Sequence, residues 1–280
     1  MQKDASNVQQ RKAHSLLSIL SFRLNSVTSN RQQLKVTNRL NTAIKNLYHV
    51  FSRYPGKSDM DGSPVYSDLA KWNQALFAKP LRELTEDDLS KFVGSVMLTW
   101  GDVDDFKHFL PRIFELTAQY PPYDVWFTFD KLNVAEWNKW TEEEQNPVKE
   151  YLLALWDNLL QDESKAAEWE FQDYFSSIAN FYPDFTEIIA IWKDNKGKPS
   201  IKHLANFIFK ERENLFDKGC INGMYKKKEN VAELTTWLLS SEAIDSLGQS
   251  FFKFEKEDFA ETLSWAEKIL NDEKKNSPLQ

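Results

Sequence analysis

The sequence predicts an all-α protein, an irregular bundle of about ten to twelve helices with no regular solenoid repeat. Three observations lead to this fold class. Only 18 of the 280 residues are Gly or Pro, about half the average frequency, which disfavours turn-rich β architectures. Apolar residues recur at helical i, i+4 spacing along most of the chain. Two capping-box patterns also mark the starts of helices.

The N-terminal region is predicted to contain two amphipathic helices. The first has an apolar stripe made of Leu16, Leu20, Leu24 and Val27. The second follows a break at residues 29–30, and its stripe consists of Val36, Leu40, Ile44, Leu47, Tyr48 and Phe51. Pro55 and Gly56 end this helix, and the residues from 55 to 68 are predicted to be a loop.

A capping-box pattern predicts the next well-defined helix. Thr85 is placed to cap the helix start, and Asp88, three residues on, is placed to return the hydrogen bond. Leu84 and Leu89 stand at the spacing of a hydrophobic staple across this start. We expect the helix to end near Leu98.

A further helix is predicted to begin at residues 101–102. Because proline disrupts a helix interior but suits a first turn, we expect a break near Leu110 and a new helix from Pro111. That helix should end before Pro121.

The second half of the chain is predicted to be helical with short connections. Thr141 and Glu144 form the second capping-box pattern, and this helix should continue through Leu159. Further helices are predicted at roughly 163–179, 184–194, 200–216, 229–240 and 255–271. The residues from 217 to 228 are predicted to be a loop.

Charge is unevenly distributed and divides the chain into three parts. Residues 1–45, a basic amphipathic helical arm, contain eight Lys or Arg and one acidic residue, a net charge of +7. The chain as a whole carries −7, which leaves −14 on the rest. We assign that charge to an acidic all-helical body at 46–271, followed by a flexible tail at 272–280. The acidic body favours a basic protein partner.

The arm favours acidic surfaces or phosphates, and we expect it to dock on its own acidic body. Nucleic-acid binding is expected, if at all, only through the arm at 1–45. An oligomer stays open at this stage. No run of 18 apolar residues occurs, so no membrane span is predicted. A single cysteine excludes an internal disulfide framework and a Cys-based zinc site, so we expect a protein of a reduced compartment. No cofactor is predicted.

The most site-like polar run contains Asp102, Asp104, Asp105 and His108. Asp104 and Asp105 stand four and three residues before His108, so on a helix either pair is able to converge on a metal ion. No further ligand is evident in the sequence. We therefore predict that the acidic residues mainly stabilise the start of a helix, with a metal-assisted site as the alternative.

Five aromatic residues surround the Pro121-Pro122 corner and are candidates for an interface. They are Tyr120, Tyr123, Trp126, Trp137 and Trp140. Tyr and Trp are common anchors of protein interfaces, and a proline corner places them where they are able to reach the surface. The other tryptophans stand beside Leu and Phe at helical spacing and are predicted to be core residues.

Several segments carry a similarity to a known family. They are 79–85 (KPLRELT), 99–112 (TWGDVDDFKHFLPR), 153–156 (LALW) and 203–205 (HLA), with shorter matches near 46–55 and at Trp140. On these segments, residues 44–270 resemble a family of uncharacterised bacterial proteins. The resemblance implies an all-helical, bacterial, cytoplasmic protein and supplies no established activity. Members carry a cysteine-rich turn where this chain has residues 62–66 without cysteine, so any metal or redox role of that turn is absent.

These observations favour a non-catalytic protein-binding module with an acidic body. Its sharpest form is an immunity-type inhibitor of a basic toxin or nuclease domain, because an acidic surface steers a cationic partner into contact. The alternative is a metal-assisted enzyme that uses Asp104, Asp105 and His108. Whether the chain is an enzyme stays open, with the binding module preferred.

Overall fold

The structure, a computed structural model, describes residues 36–121, 124–224 and 227–276, and within these ranges it contains twelve α-helices and no strand. They are α1 (Asn38–Phe51), α2 (Leu69–Phe77), α3 (Glu86–Ser95), α4 (Val103–Thr117), α5 (Val125–Val134), α6 (Glu142–Gln161), α7 (Lys165–Phe181), α8 (Phe185–Asp194), α9 (Lys198–Arg212), α10 (Lys228–Leu238), α11 (Ser241–Lys253) and α12 (Ala260–Asn276). The predicted all-α fold class is confirmed. None of these helices is both long and apolar enough to cross a bilayer.

Helix α1 packs its predicted apolar stripe into the core between α4 and α6. The buried residues on this face include Leu40, Ile44, Leu47 and Phe51. The helix begins where Thr37 accepts a hydrogen bond from the backbone N–H of Leu40 at 3.3 Å. The second apolar stripe predicted for the N-terminal region is therefore confirmed. The first, predicted over Leu16–Val27, lies outside the described residues.

The described end of the arm is part of the body. The backbone N–H of Thr37 donates to Asn158 Oδ1 on α6 at 2.8 Å. Arg39 Nε lies 3.0 Å from a carboxylate oxygen of Glu150 and its Nη1 lies 3.9 Å from Asp157. Helix α1 thus runs without interruption from the basic segment into the acidic segment.

The capping box at the start of α3 is present. Thr85 Oγ1 accepts from the backbone N–H of Asp88 at 3.3 Å, and Asp88 accepts from the backbone N–H of Thr85 at 2.8 Å. Leu84 and Leu89, on either side of the cap, are both buried. Three separate sequence signals therefore agree with the observed start of this helix.

Helix α3 ends at Ser95, three residues before the predicted end at Leu98. The chain reverses there, with Met97 at a φ of 63°. The reversal brings the Trp100 side chain into the core, where its indole N–H donates to Asn73 Oδ1 at 2.8 Å. Burying Trp100 with its indole N–H hydrogen-bonded stabilises the fold more than another exposed turn of α3 would.

The break predicted at Pro111 is wrong, because α4 runs through it as one helix. Proline in a helix interior costs about 3 kcal/mol. Phe109 and Leu110 before it, and Ile113 and Phe114 after it, are all buried in the same core. Each such side chain contributes roughly 1.5–3 kcal/mol when buried, so the common core keeps both halves in register.

In the C-terminal half the structure places α7 to α10 and α12 close to their predicted positions. Helix α11, which starts with the Ser240 hydroxyl accepting from Ala243 N–H at 3.2 Å, was not among the predicted helices. Helix α12 continues to Asn276, five residues into the segment predicted as a tail. A π-helical turn at Glu213–Asp217 extends α9.

An aromatic core joins α6, α7, α8 and α9. Trp156 on α6 is fully buried and donates its indole N–H to the backbone carbonyl of Ile188 at 2.9 Å. Its ring centroid lies 5.2 Å from those of both Phe175 and Trp192. The core prediction is confirmed for Trp156 and Trp192 but is wrong for Trp169 and Trp265, which are 74% and 46% exposed because they lie on the outer sides of α7 and α12.

Candidate functional site

The predicted polar cluster begins with a complete capping box at the start of α4. Asp102 accepts a hydrogen bond from the backbone N–H of Asp105 at 2.9 Å, and Asp105 accepts from that of Asp102 at 2.9 Å. Lys57 Nζ lies 3.4 Å from the Asp102 carboxylate. Burial works to raise the pKa of Asp102, but the hydrogen bond from Asp105 and the charge of Lys57 hold it below its usual value.

His108, one turn further along α4, is engaged by a hydrogen bond and by ring stacking. Its Nδ1 lies 2.9 Å from the backbone carbonyl oxygen of Tyr54, and its ring stacks on Phe77 with centroids 5.9 Å apart. Asp104 is exposed at the helix start. In the described part of the chain, no three His, Cys, Asp or Glu side chains are grouped so as to hold a metal ion. This arrangement is one of helix capping and packing.

A buried charged triad lies beside this cluster and was missed in the sequence. Lys107 Nζ donates to the hydroxyl of Tyr54 and to Glu144 Oε1, each at 2.9 Å. Tyr54 also donates to Glu144. The Lys107 ammonium lies 4.4 Å from the ring centroid of Trp140. The triad joins the exit of α1 to α4 and α6.

Within this triad, Lys107 and Glu144 are both stabilised in their charged forms and make an ion pair. Burial opposes the charge on Glu144, but hydrogen bonds from Tyr54 and Lys107 lower its pKa to about 2. Burial likewise opposes the charge on Lys107, but its hydrogen bonds to Tyr54 and Glu144 raise its pKa above the usual value. A nucleophilic lysine or a general base requires the opposite directions. In the sequence, Glu144 was recognised only as a capping partner.

The five predicted interface aromatics do not form one exposed surface. Trp137 and Trp140 are buried, and the Trp140 indole N–H donates to the carbonyl of Ala135 at 2.9 Å. Tyr120 is partly buried with its hydroxyl 3.1 Å from Asp162. Of the remaining two, Trp126 is 36% exposed and Tyr123 lies outside the described residues. The 3₁₀ turn at Trp137–Lys139 leads both tryptophans into the core, where Trp140 lies beside Lys107.

A different surface is centred on Trp169 of α7. Among the described residues, Trp169 is the most exposed aromatic side chain that has acidic neighbours on both sides in the sequence. Trp169 is 74% exposed. Glu168 and Glu170 precede and follow it, and Asp173 stands one helical turn further on the same side. We call these four residues the Trp169 face. The segment 162–173 contains five acidic residues and one lysine.

The acidic character of this face extends to the neighbouring helices. Lys202 Nζ on α9 lies 3.1 Å from Glu168 and 3.6 Å from Asp258, which precedes α12. The Asp258 side chain is 79% exposed. Lys202 therefore pairs with both Glu168 and Asp258 and neutralises only one of their two negative charges.

Trp169 also differs from the exposed Trp265 and Phe209 in having no cation of its own. Lys268 lies over Trp265 at 5.1 Å, and Arg212 lies over Phe209 at 5.5 Å. Within the described ranges, no Lys or Arg lies over the Trp169 ring and no other ring contacts it. Its π-face is therefore open to an external cation.

The sequence contained a signal for this face. The inner side of α7 is defined by buried residues including Phe171, Phe175 and Ile178. Trp169 stands two residues before Phe171, which places it about 200° around the helix from it. A tryptophan off the apolar stripe and between two glutamates is thus expected to be exposed.

Comparisons with protein families, with curated proteins and with solved structures find no match to this chain. The family resemblance drawn from segments 79–85 and 99–112 stays a prediction. The fold and the side-chain geometry alone therefore support a functional proposal.

Proposed function

We propose that this protein is a non-catalytic protein-binding module that recognises a basic polypeptide at the Trp169 face. The observation that carries the proposal is a 74% exposed tryptophan, without a cation of its own, set among carboxylates. An arginine or lysine placed over the ring gains a cation–π contact of about 0.5–1 kcal/mol at an exposed site. The flanking carboxylates add directional ion pairs and long-range attraction.

The geometry of the predicted polar cluster supports a binding role over a catalytic one. Asp102 and Asp105 are engaged in capping, and His108 is bound to a backbone carbonyl. The buried Lys107 and Glu144 are stabilised in their charged forms, which suits a structural pair. Neither Lys107 nor Glu144 is therefore poised as a nucleophile or base.

The narrower form of the proposal is an immunity-type inhibitor of a basic toxin or nuclease domain. Such inhibitors need fast association, and an acidic face accelerates the encounter with a cationic partner. The body of −14 and the Trp169 face are consistent with this requirement. A basic partner of this kind is expected to bind more weakly as salt increases.

A labelled oligo-arginine peptide tests the proposed recognition chemistry. We expect the full chain to bind it in a fluorescence-anisotropy titration, with weaker binding at high salt. Trp169→Ala should weaken binding about fivefold, which corresponds to the loss of one cation–π contact.

Trp265→Ala is the matched control, because Trp265 is also exposed but is covered by Lys268. It should leave the affinity for oligo-arginine within about twofold of the wild type. Equal losses in both variants, or no loss in Trp169→Ala, would contradict recognition at this face.

A further inference from the structure

His203 is a buried histidine at the seam where α9 packs on α7. It is 3% exposed, and its ring stacks on Phe171 with centroids 4.5 Å apart and planes 10° apart. The backbone of Asp162 hydrogen-bonds one side of the ring. The other nitrogen, Nε2, is buried without a hydrogen-bond partner among the described residues.

Glu168 and Asp162 favour a charged His203, but burial and the positive charge of Lys202 oppose it. Glu168 on α7 faces it, but this carboxylate is already held by Lys202 Nζ at 3.1 Å and by Asn206 Nδ2 at 3.5 Å. Lys202, on the same helix as His203, brings a positive charge close to the ring, and Asp162 lies at the end of α6. Burial is the largest effect and lowers the pKa of His203 to about 4.

Two more unsatisfied polar atoms lie near this seam, one on α9 and one on the neighbouring α8. Ser200 Oγ, one turn before His203 on α9, and Trp192 Nε1 on α8 are both buried without a partner. The Phe171 ring links the region, since its centroid lies 5.6 Å from that of Trp192. Opening the seam would expose all three atoms to water, which would satisfy them. The closed seam is therefore less stable against local opening than a core in which every polar atom has a partner.

We propose that the α7–α9 seam is a pH-sensitive joint that opens locally on acidification, with protonation of His203 as the trigger. In the closed seam the imidazole is neutral, whereas in an opened seam it is in water and takes up a proton below its ordinary pKa of 6.5. The open form is therefore favoured by about tenfold for each pH unit below 6.5, until the closed form also protonates near pH 4. Above pH 6.5 the joint stays closed.

Hydrogen exchange measured by mass spectrometry at pH 7, 6 and 5 tests the joint on the full chain. After correction for intrinsic exchange rates, amides of α9 should open more than about tenfold more often at pH 5 than at pH 7. Amides of α1, which packs mainly on α4 and α6, serve as the internal reference and should change much less. His203→Gln cannot take a proton and should abolish this difference.

His49→Gln is the matched control, because His49 is exposed on α1, and it should behave as the wild type. A pH response that persists in His203→Gln, or that is uniform over all helices, overturns the proposal. If His203→Gln does not fold, the carbon-13 chemical shift of the wild-type imidazole decides the question. A His203 ring that titrates near 6.5 in the folded protein also overturns the joint.

Discussion

At the residue scale, this protein uses its polar side chains chiefly to hold helices in place. Lys107 illustrates this, since it is buried and still charged because Glu144 and Tyr54 both bond its ammonium. The burial of Lys107 requires three distant segments to meet, so the sequence alone did not show it. The capping box of Asp102 and Asp105, by contrast, depends on residues three apart and was predictable from their spacing.

The first prediction concerns the cap of α4. Asp102→Ala should cost about 1 kcal/mol and lower the melting temperature by about 2–4 °C, because the N–H of Asp105 loses its acceptor. Thermal unfolding with and without added divalent metal checks this result. A melting temperature that rises sharply with metal in the wild type, but not in His108→Ala, would instead support the metal-assisted alternative.

The second prediction concerns the buried triad. Glu144→Gln leaves the Lys107 charge buried without its counter-ion and should destabilise the protein by about 3–5 kcal/mol in denaturant unfolding. Glu143→Gln is the matched control, since Glu143 pairs with Arg53 at the surface, and it should cost far less stability than Glu144→Gln. Similar costs for both variants would show that the triad contributes little.

The triad also has a defined pH signature. The pKa of Glu144 is lowered from 4.5 to about 2, so its contribution to stability is complete above pH 4.5. That contribution is lost as the pH falls from 4.5 to 2, because the unfolded state then binds the proton first. The difference in stability between the wild type and Glu144→Gln should therefore shrink over this range.

At the element scale, local signals predicted where helices begin better than where they end. The starts of α3, α4 and α6 carry capping residues at fixed spacing, and each was predicted within a few residues. Helix α3 ends early because Trp100 turns back into the core, and α4 continues through Pro111 because both of its halves share one core. Tertiary packing decided both cases, and a single sequence does not contain that information.

The third prediction concerns α11, whose start depends on Ser240. Ser240→Ala should destabilise the protein by about 1 kcal/mol, because the N–H of Ala243 loses its side-chain acceptor. The neighbouring Ser241→Ala is the control, since its exposed hydroxyl only accepts from Lys274, and it should stay within about 0.5 kcal/mol of the wild type. Urea unfolding of the two variants distinguishes them, and a larger loss in Ser241→Ala would contradict the capping account.

At the scale of the whole molecule, the charge distribution and the fold both indicate that the basic segment packs on the acidic body. A helical body of −14 is covalently joined to a segment of +7, and the last described part of that segment is already paired with carboxylates of α6. The exposure predicted for Trp137 and Trp140 at the proline corner is wrong, because both are buried. These tryptophans were placed by proximity in sequence, whereas exposure depends on which side of each helix faces the core.

The fourth prediction concerns the basic arm. Deleting residues 1–30 should lower solubility or change the oligomeric state, because the predicted stripe of Leu16, Leu20 and Leu24 needs burial. Light scattering after size-exclusion chromatography, at low and high salt, checks this. A nucleic-acid gel shift at low salt that disappears with the arm would favour phosphate binding instead. A truncated protein that is soluble, monomeric and shows no shift would contradict both accounts.

Binding of a basic protein at the Trp169 face is the central claim, and quantitative affinity capture from native lysate tests it most directly. The immobilised full chain, its Trp169→Ala variant and its Trp265→Ala variant would be compared by mass spectrometry. We predict that the wild type and Trp265→Ala capture the same basic protein, and that Trp169→Ala captures about fivefold less of it. Equal capture by all three chains, or capture of an acidic partner, would contradict the claim.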